Sequence, residues 1–216
     1  MAAPRSARSR SPALAEAPRE RRSHAERTAQ TRARIIAAVV DSIAEVGFGR
    51  TTAAEVTRRS GVTWGAVQHH FGGKDGMLIA VLEDSFDRFA RRLGEIPLEG
   101  TSLEERAALF IEAAWEHFSS PHFRSTFEIL LNATGRSSGE EVPSWQSQMA
   151  QAWDRVWQHL FHDAPVPRRR RAILQRQVIA TLVGMGSLVI LEGGAGRSEE
   201  LELLKEHLVR ELLRTD

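Results

Sequence analysis

The side chains with the most chemistry to offer lie close together, inside Thr52–Phe71, TAAEVTRRSGVTWGAVQHHF. Trp64, Gln68 and His69 bring an indole N–H, a carboxamide and an imidazole within a few positions of one another, around Gly65. Such groups beside a glycine suit the reading of base edges, where a partner surface must come close. Thr51, Thr52, Thr63, Gln68 and Lys74 are donors of the kind that hold phosphate oxygens, contacts that position a protein on a duplex without specifying sequence. Arg50 can serve either purpose.

Other chemistries find little support. The chain has no Cys, so it has neither a thiol nucleophile nor thiolate metal ligands. It also lacks a phosphate-cradling glycine loop, a zinc-protease histidine pair and an evident triad. We therefore expect no catalytic residues and no cofactor. His159 and His162 are close in sequence, with His117 and His122 further off, but no additional ligand accompanies them, so no metal is expected. Arg168–Arg171 at a helix start opposes the helix dipole and reads as a solvated patch, with an acidic partner as the alternative.

The elements around this stretch are set by local signals. Thr52 with Glu55 three residues on forms a capping box. Ser60-Gly61-Val62 makes a turn in which Gly61 can take the left-handed conformation. Thr63 can cap the next helix. On that helix Val67, His70 and Phe71 share an inward face; Trp64, Gly65, Gln68 and His69 share the other. This is the layout of a helix-turn-helix, here spanning 51–70. Ahead of it, residues 26–47 carry Ile35, Ile36, Val39, Val40, Ile43 and Val46 in an amphipathic stripe, and Gly47 ends that helix before Phe48 folds back. Behind it, Lys74 opens a long helix running to Leu93, and Gly94–Gly100 closes it.

The run from Ile35 to Leu82 resembles the N-terminal domain of the tetracycline-repressor (TetR) family of transcription regulators. The shared positions are Gly47-Phe48, Thr51-Thr52, Ser60-Gly61-Val62-Thr63, Gly65, His69-His70-Phe71, Lys74 and Leu78. The chain departs from the family at Gln68, where a tyrosine usually touches phosphate; the chain has no Tyr at all. The resemblance implies that Lys74 and the helix it opens hold a phosphate beside the groove. It also implies a homodimer whose last two helices form a four-helix bundle with those of a second copy, and a C-terminal cavity for a small-molecule effector.

The whole chain fits this expectation. Its 216 residues can hold one compact domain or two small ones. Charge is uneven: residues 1–75 have 13 Lys+Arg against 7 Asp+Glu, a net of +6, and the rest has a net of −5. A basic end joined to an acidic remainder suits docking onto phosphates. Residues 1–25 read as a disordered basic tail, either an inert extension or an arm trailing along DNA. Residues 26–88 then form the DNA-binding domain and 89–216 an effector-binding and dimerisation domain. The fold class is all-α, with about nine helices. No secretory signal is evident, and the longest uncharged run, Gln177–Leu191, is too short to span a bilayer, so no membrane partner is expected.

In the C-terminal part, Trp115, Phe118, Phe123, Phe127, Trp145, Met149, Trp153 and Trp157 lie on three successive helices. They read either as plain core or as the lining of a pocket for an apolar or aromatic effector. Leu182, Met185, Val189, Leu201, Leu204, Leu208 and Leu212 lie on the last two helices, as intrachain core or as dimer interface. Gly184 and Gly186 interrupt the first of these, which argues for a close backbone approach. The expectation is a cytoplasmic, ligand-responsive repressor reading a pseudo-palindromic operator. The alternative is a nucleoid-type DNA-binding protein without an effector.

Overall fold

The computed structural model describes residues 23–134, 144–192 and 197–215, without the side chains of 133, 134, 144 and 145. The tail assigned to residues 1–25 falls mostly outside the described residues, as does the Trp145 side chain. Among the described residues the chain is all-α, with nine α-helices and one 3-10 turn.

Helix α1 (His24–Val46) starts where Ser23 and Glu26 form a reciprocal capping box, slightly ahead of the expected start at residue 26. Gly47, at φ 82°, ends it, and a 3-10 turn follows at Phe48–Arg50. Thr52 caps α2 (Ala53–Ser60) by accepting from the Glu55 N–H. The capping box expected there is only half formed, because the Glu55 carboxylate turns instead to Arg58 and Arg59. Gly61 takes the left-handed turn at φ 65°, and Thr63 caps α3 (Trp64–Phe71). Helix α4 (Lys74–Gly94) runs out of this unit into the next.

The remaining helices are α5 (Leu103–Phe118), α6 (Pro121–Thr134), α7 (Ser144–Phe161), α8 (Arg168–Glu192) and α9 (Ser198–Leu212). Two apolar cores result. The first is built from Ile35, Val39, Ile43, Val56, Val67, Met77 and Val81. The second is aromatic, gathering Phe89, Phe110, Phe118, Phe123, Trp153, Trp157 and Phe161 with the inward leucines of α8 and α9. Two helices feed both. Leu82 of α4 lies in the first core and Phe89 in the second. On α6, Phe123 lies in the aromatic core and Ile129 in the first. A division at residue 88 thus assigns to the C-terminal part a helix whose far half serves the N-terminal core.

The glycines of α8 have separate roles. A Cβ on Gly186 would lie 2.4 Å from the Phe118 carbonyl oxygen, so α5 ends against bare α8 backbone. Gly184 meets nothing within 4 Å and is exposed.

The same packing corrects the expected dimer face. Leu182, Met185, Leu204, Leu208 and Leu212 are buried within the subunit, and Val189 and Leu201 are half-buried. Leu182, Leu204, Leu208 and Leu212 belong to the aromatic core of the subunit itself. The apolar groups left uncovered are others: Ile173, Leu188 and Leu191 on α8, and Leu203 and Leu213 on α9. By length and composition alone α8 could also cross a bilayer, a test that the core helix of a soluble protein passes as well. A third of its apolar stretch is buried against protein, through residues such as Leu174, Val178 and Leu182.

Candidate nucleic-acid interface

Helix α3 turns Val67 into the first core and leaves Gly65, Gln68 and His69 exposed, with Thr63 exposed at its cap. Trp64 departs from the expected outward placement. It is half-buried against the core edge shared with Phe48 and Val62, so only part of the indole is open to a partner. His70 is half-buried; burial, then His69 and Arg32, hold its imidazole below the usual histidine range.

Thr51 must be withdrawn from the phosphate set. It is 3% exposed, its hydroxyl lies 2.9 Å from that of Ser42, and it donates to the Gly47 carbonyl. The hydroxyl is spent tying the 3-10 turn to α1. Thr52, the next residue, is exposed at the start of α2. Arg50 uses its Nε on the Val46 carbonyl and is otherwise exposed. Lys74 is exposed at the start of α4, with its ammonium 5.7 Å above the Phe48 ring. Gly73, which precedes α4, has no side chain to cap it, and Asp75 places a carboxylate in the first turn.

Neighbouring charges are largely committed. Glu55 binds Arg58 and Arg59, and Arg59 also reaches Glu45. The hydrogen bonds from Arg58 and then Arg59 hold the Glu55 carboxyl down at about 2. Two arginines of α1 reach the ends of the following helices. Arg32 Nη1 donates to the His70 carbonyl at 2.6 Å, and Arg34 Nη2 donates to the Ser60 carbonyl. No local pattern announces such long-range bonds.

Residues 35–81 match the family described as bacterial regulatory proteins, tetR family. They form a TetR-family domain. An 86-residue stretch is 35% identical to a helix-turn-helix-type transcriptional regulator of Mycobacterium tuberculosis, covering 38% of this chain and 44% of that protein. The chain thus aligns with less than half the length of this curated relative. Solved structures show the TetR-like fold across most of the chain. A transcriptional regulator from Rhodococcus sp. Rha1 superposes with a TM-score of 0.66 at 21% identity, over 84% of this chain and 95% of that one. The multidrug binding protein EbrR, complexed with imidazole, gives 0.62 at 21% identity, over 93% of this chain and 98% of that one.

Within the TetR-like C-terminal part, the aromatic residues singled out as pocket lining pack on one another. Phe118, Phe123, Trp153 and Trp157 are buried; Trp115, Phe127 and Met149 are partly buried. The ring of His117 stacks on Phe89 at 4.3 Å, and burial, with His122 adding to it, lowers its pKa to about 4. Trp157 Nε1 is buried without a hydrogen-bond partner. Outside this core, α4 and α7 frame an open groove of about 380 Å³, lined by Phe86, Glu83, Asp87, Met149 and Arg155 among others.

The partly buried indole can still touch a groove. Trp64→Ala should lower affinity for a specific site by about tenfold or more, since one lost base-step contact costs roughly 1–3 kcal/mol. It should also narrow the gap between specific and random DNA. Competition binding reads both, and an unchanged gap removes Trp64 from sequence readout.

Proposed function

We propose that this protein is a homodimeric transcription regulator of the repressor type, released from a pseudo-palindromic operator by a small molecule. The observation that carries this reading is the exposed edge of α3. Gly65, Gln68 and His69 stand out from the TetR-type domain, flanked by Thr52 and by Lys74 at the start of α4. Such an edge fits a major groove, with the flanks on phosphate. Gln68 keeps a donor without the ring packing of a tyrosine.

The dimer is proposed on the corrected face. Ile173, Gly184, Leu188 and Leu191 recur at helical steps on the uncovered side of α8, and Leu203 and Leu213 extend it on α9. Covering this side of α8 with a second copy gives it protein on both faces, which favours a core helix over a membrane span. A cytoplasmic location follows from this reading.

The effector site is proposed in the aromatic core, entered from the α4–α7 groove. Opening the Phe86–Trp153 edge contact, at 5.8 Å between ring centres, would admit a small apolar or aromatic molecule. The orphaned Trp157 N–H offers such a molecule one hydrogen bond. EbrR, a protein of similar fold, binds multiple drugs. Helix α6 supplies a route to the DNA-binding half. Phe123 sits in the aromatic core, Ser125 donates to the Val40 carbonyl of α1, and Glu128 accepts from the Phe48 N–H. A ligand that shifts Phe123 therefore bears on α1 and on the turn before α2, which is a coupling between two sites.

The test is titration of the protein against the DNA upstream of its own coding region at several salt concentrations. Sharp binding at one palindrome supports the regulator. Uniform binding everywhere supports the nucleoid-type alternative. Screening small molecules for thermal stabilisation, then for release from DNA, tests the effector.

A further inference from the structure

Helices α2 and α3 both end in carbonyl groups with no partner inside their own helix, and both ends are met by guanidinium groups from α1. Arg32 Nη1 donates to the His70 carbonyl at 2.6 Å, while its guanidinium lies 4.4 Å from the centre of the Phe71 ring. Arg34 donates to the Ser60 carbonyl at the end of α2. Positions 32 and 34 point to different sides of α1, so the two arginines reach two different helix ends. Ile35 and Ile36, buried immediately after them, fix α1 in the first core at that point. A cation at a helix C-terminus also meets the negative end of the helix dipole.

Gly61 belongs to the same arrangement. Its backbone is left-handed, and a Cβ there would come within 3.1 Å of Arg34 Nη2. The turn glycine therefore serves the chain reversal and leaves room for the guanidinium that holds α2.

We propose that Arg32 and Arg34 are positioning residues of the DNA interface: they set the angle of the helix-turn-helix from α1 and do not themselves bind phosphate. The inference rests on the DNA-binding reading above, but its central geometry can be tested without DNA. Planar guanidinium geometry matters at Arg32, because one group both donates to a carbonyl and stacks on a ring. Lysine keeps the charge and loses the fork and the stacking.

The experiment compares wild type with Arg32→Gln, Arg32→Lys and Arg34→Gln, with circular dichroism to confirm folding. Hydrogen exchange is measured on the free protein, and binding to a specific site and to random DNA is measured across a salt series. Faster exchange is expected at the α3 amides in both Arg32 variants and at the end of α2 in Arg34→Gln. The specific-to-random affinity ratio should fall about tenfold or more in Arg32→Gln, with Arg32→Lys failing to restore it and with an unchanged salt slope. A mere loss of global stability would not move that ratio for the folded protein. A salt slope reduced by about one per lost phosphate contact, with rescue by lysine, would make these direct phosphate ligands and overturn the proposal. Unaltered exchange at both helix ends would overturn it too. If wild type binds no DNA, the regulator reading fails and the exchange measurement still decides the clamp. Should Arg32→Gln not fold, Arg32→Lys carries the same comparisons.

Discussion

Gly186→Ala is expected to lower the thermal midpoint by several degrees. The added methyl would sit 2.4 Å from the Phe118 carbonyl oxygen and 3.2 Å from an edge carbon of the Phe123 ring. The nearest obstacle is backbone at the end of α5, which no rotamer change can move aside. Helices α5 and α8 would have to separate, opening the aromatic core on both sides. Overpacking of this kind costs about 1–3 kcal/mol, and in a chain of this size each kcal/mol corresponds to roughly 2–4 °C. Alanine is the better helix former by about 1 kcal/mol, so a net loss requires the clash to outweigh that gain. Calorimetry or a circular-dichroism melt reads the result. A midpoint equal to or above that of wild type would mean that α5 and α8 do not approach as described.

A second large effect is expected at the uncovered side of α8. Leu188→Glu combined with Leu191→Glu should convert the proposed dimer to monomer and weaken binding to a palindrome by at least about 100-fold, because linked half-sites lose their avidity. Leu191 is 79% and Leu188 40% exposed within the subunit, so the monomer's helical content should be unchanged. Leu208→Ala makes the opposite case. Leu208 is fully buried, and truncation there should cost about 2–5 kcal/mol of stability. Sedimentation with a parallel melt separates the two. If the double glutamate variant stays dimeric, the face is elsewhere.

How much of this was legible in the sequence varies with the range of the interaction. The helix-turn-helix was readable because its signals are local: Thr52 and Thr63 cap, Gly61 turns left-handed, and Val67 points inward, as their types and spacing require. The ends of α4 were readable for the same reason. Thr51 was grouped with the phosphate donors because its hydroxyl is of the same kind as that of Thr52, and nothing nearby announces that Ser42 on the previous helix will take it. Trp64 was placed outward by helical spacing, but an indole is large enough to lie back on the edge of the first core. The leucines of α8 and α9 form two apolar stripes, and periodicity alone cannot say which stripe meets the subunit's own core. Arg32, Arg34 and Glu128 make bonds to carbonyls or amides far away in the chain, where pattern has no purchase.

Helix α6 has one more consequence. Because Ile129 fills part of the N-terminal core and Ser125 reaches the Val40 carbonyl, the N-terminal portion is not a self-sufficient module. A fragment cut within the connection before α5 would leave a hole where Ile129 belongs and would strip the Phe48 N–H of its carboxylate acceptor. The two halves should therefore melt together in one cooperative transition, and excising either of them should compromise both.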